Sequence, residues 1–187
     1  MEAAFELFTE HGIEKTSLAM IAKKVGMTKP SIYYHFSTKE ELISQVFEYI
    51  FKDHYFNSYF QTDSLDKEQF AQSLYQGGLK MMPGQDRANY AVLRVLNEFV
   101  ILSEREALYR ERIIKLQHDF LDGFRKLLLA GADLGAVASH NIDYKATILA
   151  LVIDNLSRSV LMNVEIDYEG VWKEAVNSIL NEDSKIR

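Results

Sequence analysis

The chain has 187 residues, 48% of them hydrophobic, and a formal net charge of −6. That is enough apolar chain for one large domain, or for a small domain joined to a larger one. The absence of cysteine excludes a disulfide scaffold and thiolate chemistry, and it fits a reducing cytoplasm. No apolar run reaches the roughly 18 residues of a membrane-spanning helix, so no membrane span is expected. The opening MEAAFELF lacks a basic start, so no signal peptide is expected. With 2 Pro, 9 Gly and apolar residues at spacings of three and four, the chain reads as all-α, with about nine helices.

The first helix is predicted over about 1–11. Ala4, Phe5 and Phe8 form its stripe, and Gly12 is its stop. Thr16 or Ser17 caps a second helix, whose buried face is Leu18, Ile21, Ala22 and Val25. Gly26 ends it in a tight turn. Thr28 caps a third helix, with Pro30 in its first turn, where a missing N–H costs little. Small Ala22, four residues before Gly26, suits a close approach of two helices, and Ile32 and Phe36 point inward. This is the pattern of a helix-turn-helix. Lys29, Ser31, Tyr33, Tyr34 and His35 are left facing outward, and such donors, rings and cations reach phosphates and base edges.

Charge supports the same reading. Residues 15–39 hold five lysines and no acid, a net +5, so the other 162 residues sum to −11. A basic island on an acidic chain is placed where a polyanion docks. The bland alternative is a three-helix piece of a larger bundle with solvated lysines. Charge, caps, small Ala22 and turn glycine together favour DNA.

A fourth helix starts near Thr38, with Glu41 as capping-box partner, and runs to about Phe60. Lys39 sits at the positive end of its dipole, a misfit that a nearby DNA phosphate would relieve. A fifth helix is expected over 66–82, capped by Asp66 or Ser64, with a break at Pro83–Gly84. A sixth covers about 86–101. Ser103 is a candidate cap for a long seventh helix reaching about Ala130, and a loop covers 131–143. The eighth, about 143–163, is apolar nearly all round, and the ninth, about 168–181, has one broad apolar face around Trp172. Helices with more apolar surface than one core covers suggest an interface, so a homodimer through the eighth and ninth helices is expected.

The runs Ala3 to Gly12 (A-A-x-x-L-F-x-x-x-G), Thr16 to Lys29 (T-S-x-x-x-I-A-x-x-x-G-M-T-K) and Ser31 to Leu42 (S-I-Y-Y-H-F-x-x-K-E-E-L) closely resemble the tetracycline-repressor (TetR-type) family of bacterial regulators. The resemblance covers residues 1 to about 47; beyond residue 50 it is architectural. Pro30 stands where many relatives have Gly, and relatives often carry a few basic residues ahead of this point. The family implies a helix-turn-helix DNA-binding domain over 1–47, an effector-binding and dimerisation domain over 48–187, and a homodimer on double-stranded operator DNA.

On that resemblance, Thr16, Ser17, Tyr34, His35 and Lys39 hold phosphates, while Thr28, Lys29, Ser31 and Tyr33 lie nearer base edges. It also implies a small-molecule effector in a pocket between the fourth and eighth helices. Tyr75, Arg94, Asn97, Phe99, His118 and Asp154 are the candidate lining there, with Glu98 and Asn155 among the other polar residues set in apolar runs. Enzyme chemistry finds no footing. His11, His35, His54, His118 and His140 are scattered, with no metal-ligand spacing, no P-loop and no GxSxG, so no metal and no cofactor are expected.

Overall fold

The computed structural model describes residues 1–60, 66–82 and 87–187, without the side chains of 87–89. Among the described residues it is all-helical: α1 Glu2–His11, α2 Leu18–Lys24, α3 Lys29–His35, α4 Lys39–Phe51, α5 Phe56–Tyr59, α6 Lys67–Met81, α7 Arg87–Ser103, α8 Ala107–Asp133, α9 Ile142–Leu161 and α10 Tyr168–Ile179, then a 3₁₀ turn at Glu182–Ser184. An isolated antiparallel bridge pairs Val137 with Leu180. The chain divides into two compact units: Met1–His54 with Tyr90–Glu111, and Tyr55–Asn89 with Arg112–Arg187.

In the first unit, α1 to α4 close over Phe8, Ile21, Ile32, Leu42 and Val46, all buried. Phe99 of α7 is fully buried, with Phe47 edge-on at 4.8 Å and Tyr109 at 5.4 Å. In the second unit, Phe56, Phe70, Phe124, Leu149 and Trp172 centre the core. The Trp172 indole N–H donates to the Tyr75 carbonyl at 2.9 Å. Gly78 is required beneath that ring, because a Cβ there would stand 2.1 Å from it.

Several boundaries differ from expectation. The fourth helix stops at Phe51 instead of running to Phe60. The chain restarts as α5, where the Phe56 N–H donates to an Asp119 carboxylate oxygen at 2.7 Å, a side-chain acceptor in place of a helical carbonyl. Phe56 then stacks on Phe60 at 4.6 Å, in a different core from Phe51.

Ser103 is no cap. It ends α7 with its hydroxyl donating to the Val100 carbonyl, and Arg110 from α8 donates to the carbonyls of Ser103 and Glu104. Gly131 lies inside α8, not in the loop, because Phe70 packs where its side chain would be. Val25, expected on the buried face of the second helix, is 47% exposed. Asp66 is the cap of α6, accepting from the Gln69 N–H at 2.8 Å. The break at Pro83–Gly84 and the alternative cap Ser64 lie outside the described residues.

The apolar surface of the last two helices is also divided. Leu149, Ile153, Leu156 and Val160 of α9, with Trp172, Val176 and Ile179 of α10, are buried within their own unit. Tyr144, Ile148 and Leu151 of α9 and Val171 of α10 are exposed.

Candidate nucleic-acid interface

The outward face of α2 and α3 is set by local chemistry. Helices of seven residues are too short to stand by propensity alone, so their ends must be satisfied by side chains and turns. Ser17 accepts from the Met20 N–H at 3.2 Å and Thr28 from the Ser31 N–H at 3.4 Å. Between the two helices, Gly26 is left-handed at φ +70°. The Gly26 N–H donates to the Lys23 carbonyl and the Met27 N–H to the Ala22 carbonyl, the two bonds of a Schellman turn. Thr38 caps α4 through the Glu41 N–H at 3.1 Å, and the Glu41 carboxylate accepts in return from Ser37 N–H, one residue before the cap.

This frame turns Lys29, Tyr33, Tyr34 and His35 to the surface, with Ile32 as the buried anchor. Tyr34 is 88% exposed and meets the His35 ring edge-on at 5.6 Å. Thr28 and Ser17 are exposed beside them, and Ser31 is half-buried. The tyrosine pair is therefore not core.

Two of the expected phosphate ligands have other partners. Thr16 is buried, at 1% exposure. Its hydroxyl faces the carbonyls of Leu7 and Gly12 at 3.1 and 2.8 Å, and its N–H donates to Gly12. A threonine so enclosed has no group left for a phosphate. Lys39 is half-buried, and its ammonium donates to the Glu14 carbonyl at 2.7 Å, leaving two of its three protons for a further acceptor.

The lysines of the basic island are unequal. Lys24 turns back to α1, 2.7 Å from Glu6 and 4.0 Å from Glu10. The hydrogen bond to Glu6 raises its pKa above the usual lysine value, with the charges of Glu10 and Glu6 adding and desolvation opposing. Lys15, Lys23 and Lys29 are exposed and form no ion pair with a described residue. Lys15 and Lys23 are thus exposed cations of the first unit that the predicted site residues did not include. Their signal in the sequence was the island itself, since neither sits at a motif position.

The six candidate effector residues are dispersed. Arg94, His118 and Asp154 are exposed, and Asp154 pairs with Arg158 one turn on at 3.1 Å. Phe99 is fully buried among rings of the first unit, where Asn97 is half-buried. Tyr75 is half-buried in the second unit, with its hydroxyl pKa raised by burial and then by Glu169 and Asp167. None of them lines the recess on the second unit bounded by Phe56, Asn57, Asp119, Asp122, Gly123 and Lys126. Among the described residues, no group of three His, Asp or Glu side chains is placed to hold a metal, and no helix is long and apolar enough to cross a membrane.

The model of bacterial regulatory proteins of the tetR family matches residues 1–46. The HTH-type transcriptional regulator AcrR of Shigella flexneri is 42% identical over 48 residues, which is 26% of this chain and 22% of that protein. The matched part thus spans about a fifth of that curated relative. Solved structures extend the likeness along the chain. A transcriptional regulator from Rhodococcus superposes with a TM-score of 0.77 at 17% identity, covering 95% of this chain and 92% of its own. SmeT in complex with triclosan gives 0.75 at 17% identity, covering 99% and 91%. SmeT is the repressor of the multidrug efflux pump SmeDEF of Stenotrophomonas maltophilia. At such identities the likeness is one of fold.

Proposed function

Because this chain belongs, by its first 46 residues, to the tetR family of bacterial regulatory proteins, we propose that it is a homodimeric DNA-binding transcriptional repressor, released from its operator by a small effector. The observation that carries this is the outward face of α3. Lys29, Tyr33 and Tyr34 stand exposed on a capped helix, backed by buried Ile32. A monomeric bundle has no use for two exposed tyrosines and a lysine there; a major groove does.

In this reading residues 1–47 are the DNA-binding domain, and 48–187 bind effector and partner. Thr28, Lys29, Ser31 and Tyr33 read bases. Ser17, Tyr34, His35 and Lys39 hold phosphates, and Thr16 leaves that set. Dimerisation uses the exposed α9 stripe Tyr144, Ile148 and Leu151, spaced four and three residues apart, with Val171 of α10. Two-fold symmetry doubles the contacts and places the reading helices about 34–36 Å apart or a multiple of it.

The effector is a largely apolar molecule, a reading supported by the triclosan complex of SmeT, a protein of like fold. It acts by preferring the conformation that does not bind DNA, so operator must weaken effector binding by the same factor. The protein is a binding protein and not an enzyme.

The test is a titration of Lys29→Ala and Lys39→Ala against a duplex selected from a random pool and against scrambled DNA, over a salt series. Lys29→Ala should cost about 1–3 kcal/mol on the selected duplex and relax specificity there. Lys39→Ala should weaken both DNAs alike and flatten the salt slope by about one unit. Equal losses on both DNAs for Lys29→Ala would remove its base-reading role. Unchanged affinity for both variants would sink the docking arrangement.

A further inference from the structure

The segment 12–17, which joins α1 to α2, is held from three sides. Buried Thr16 ties it to α1 through the Leu7 carbonyl. Lys39 of α4 donates to the Glu14 carbonyl. From α7, the Glu98 carboxylate accepts the Ile13 N–H at 2.7 Å, across 85 positions of sequence. Arg105, just past the end of α7, adds an exposed contact to the Glu14 carboxylate at 4.0 Å. Gly12 leaves room for the carboxylate. A Cβ there would stand 2.9 Å from Glu98 Oε1, on backbone at φ +84° that itself favours glycine.

Ile13 is 1% exposed, and a charged acceptor on a backbone N–H makes a stronger bond than a neutral one. The segment then runs straight into Ser17, the cap of α2, and α2 is joined to α3 by the Schellman turn. One carboxylate of α7 therefore references the α2–α3 pair. The sequence showed Glu98 only as one of the polar residues set in apolar runs, where the family resemblance implied an effector pocket; its carboxylate is engaged here.

We propose that Glu98 is a positioning residue for DNA recognition: by holding the Ile13 N–H it sets the angle at which α7 presents the α2–α3 pair to the groove. This rests on the operator-binding reading above. Release of this bond costs the domain discrimination between operator and other DNA, because base contacts demand closer placement than phosphate contacts do.

The experiment uses the full chain and a duplex selected by the wild type from a random pool, with scrambled duplex beside it. Binding is followed by fluorescence anisotropy, folding by thermal melting, and the segment by amide exchange. Glu98→Leu fills the space without an acceptor, Glu98→Asp withdraws the carboxylate by one methylene, and Glu98→Gln keeps an acceptor oxygen. Leu and Asp should each lower affinity for the selected duplex about ten-fold, with affinity for scrambled DNA nearly kept, and should speed exchange at Ile13. Gln should restore both readouts.

A merely structural role would lower the melting temperature and leave the ratio of selected to scrambled affinity as in the wild type. That ratio unchanged in Asp and Leu, or Gln as weak as Leu, overturns the assignment. If Leu melts below the assay temperature, Asp and Gln decide it alone. A wild type that selects no duplex overturns the operator reading first, before any variant is measured.

Discussion

The α2–α3 pair of the first unit and the second unit's assembly of α6, α8, α9 and α10 are held by different physics. The two seven-residue helices of the first bury only Leu18, Ile21, Ala22 and Ile32 between them, and their ends are fixed by Ser17, Thr28 and the turn at Gly26. The helices of the second reach 27 residues and depend on rings and aliphatic chains packed into one core. Where caps hold a helix, its polar residues are free to face a partner. Where packing holds it, apolar residues serve either the core or an interface, and the residue type alone does not say which. The two arrangements should answer differently to mutation.

The largest effect is expected in the packed region. Trp172 is fully buried, gives its N–H to Tyr75 and fills the space above Gly78. Trp172→Ala should cost about 3–5 kcal/mol of stability in a urea melt. A loss below about 1 kcal/mol would mean that the cluster collapses around the gap, and that packing there is less decisive than the comparison holds.

Next comes the division of α9 into two faces. Leu151 is 63% exposed, whereas Leu156 lies at 5% in the core of its own unit. Leu151→Asp should shift the chain to monomer in sedimentation velocity while leaving its helical signal and melting temperature nearly intact. Leu156→Asp should unfold it, since it buries an unpaired charge. A wild type that sediments as a monomer at all concentrations would remove the interface from α9. Melting of Leu151→Asp alongside Leu156→Asp would show that the exposed face belongs to the fold.

The same division explains what was readable in the sequence. Caps at Thr28 and Thr38 were legible, and Ser17 and Asp66 were each one of two candidates, because a short side-chain oxygen ahead of an apolar run has few other local uses. Gly26 was legible for its left-handed turn, and the outward side of α3 followed once Ile32 was placed inside. The end of α4 at Phe51 was not, because the acceptor that starts α5 is Asp119, 63 residues away. Thr16 and Ser17 were indistinguishable as caps, and only the carbonyls of Leu7 and Gly12 decide that Thr16 turns inward. The surplus of apolar surface on the last two helices hid that Leu156 and Ile179 serve the core while Ile148 and Leu151 do not. The six effector candidates came from the family resemblance and not from spacing, and they divide between the units: Arg94, Asn97 and Phe99 in the first, Tyr75, His118 and Asp154 in the second.

The smallest effect expected concerns the point where the first unit ends. His54 follows the last turn of α4, its N–H donates to the Phe51 carbonyl, and its ring lies edge-on to Phe51 at 6.1 Å. Burial lowers its pKa below the ordinary 6.5, and the neighbouring Asp53 charge opposes this only in part. A histidine with a depressed folded value takes up its proton more readily when unfolded. It therefore adds stability that is fully present above about pH 6.5 and is lost as pH falls through that value toward the lower folded one. The other histidines, His11, His35, His118 and His140, are exposed, which makes His54 the one to vary. Melting temperature should decline between pH 7 and 5, and His54→Gln should make that decline shallower while leaving the curve above pH 7 parallel to wild type. If His54→Gln melts with the wild-type slope, the packing at the end of α4 is open to water, and the first unit depends on its capped helix ends more than on this aromatic seam.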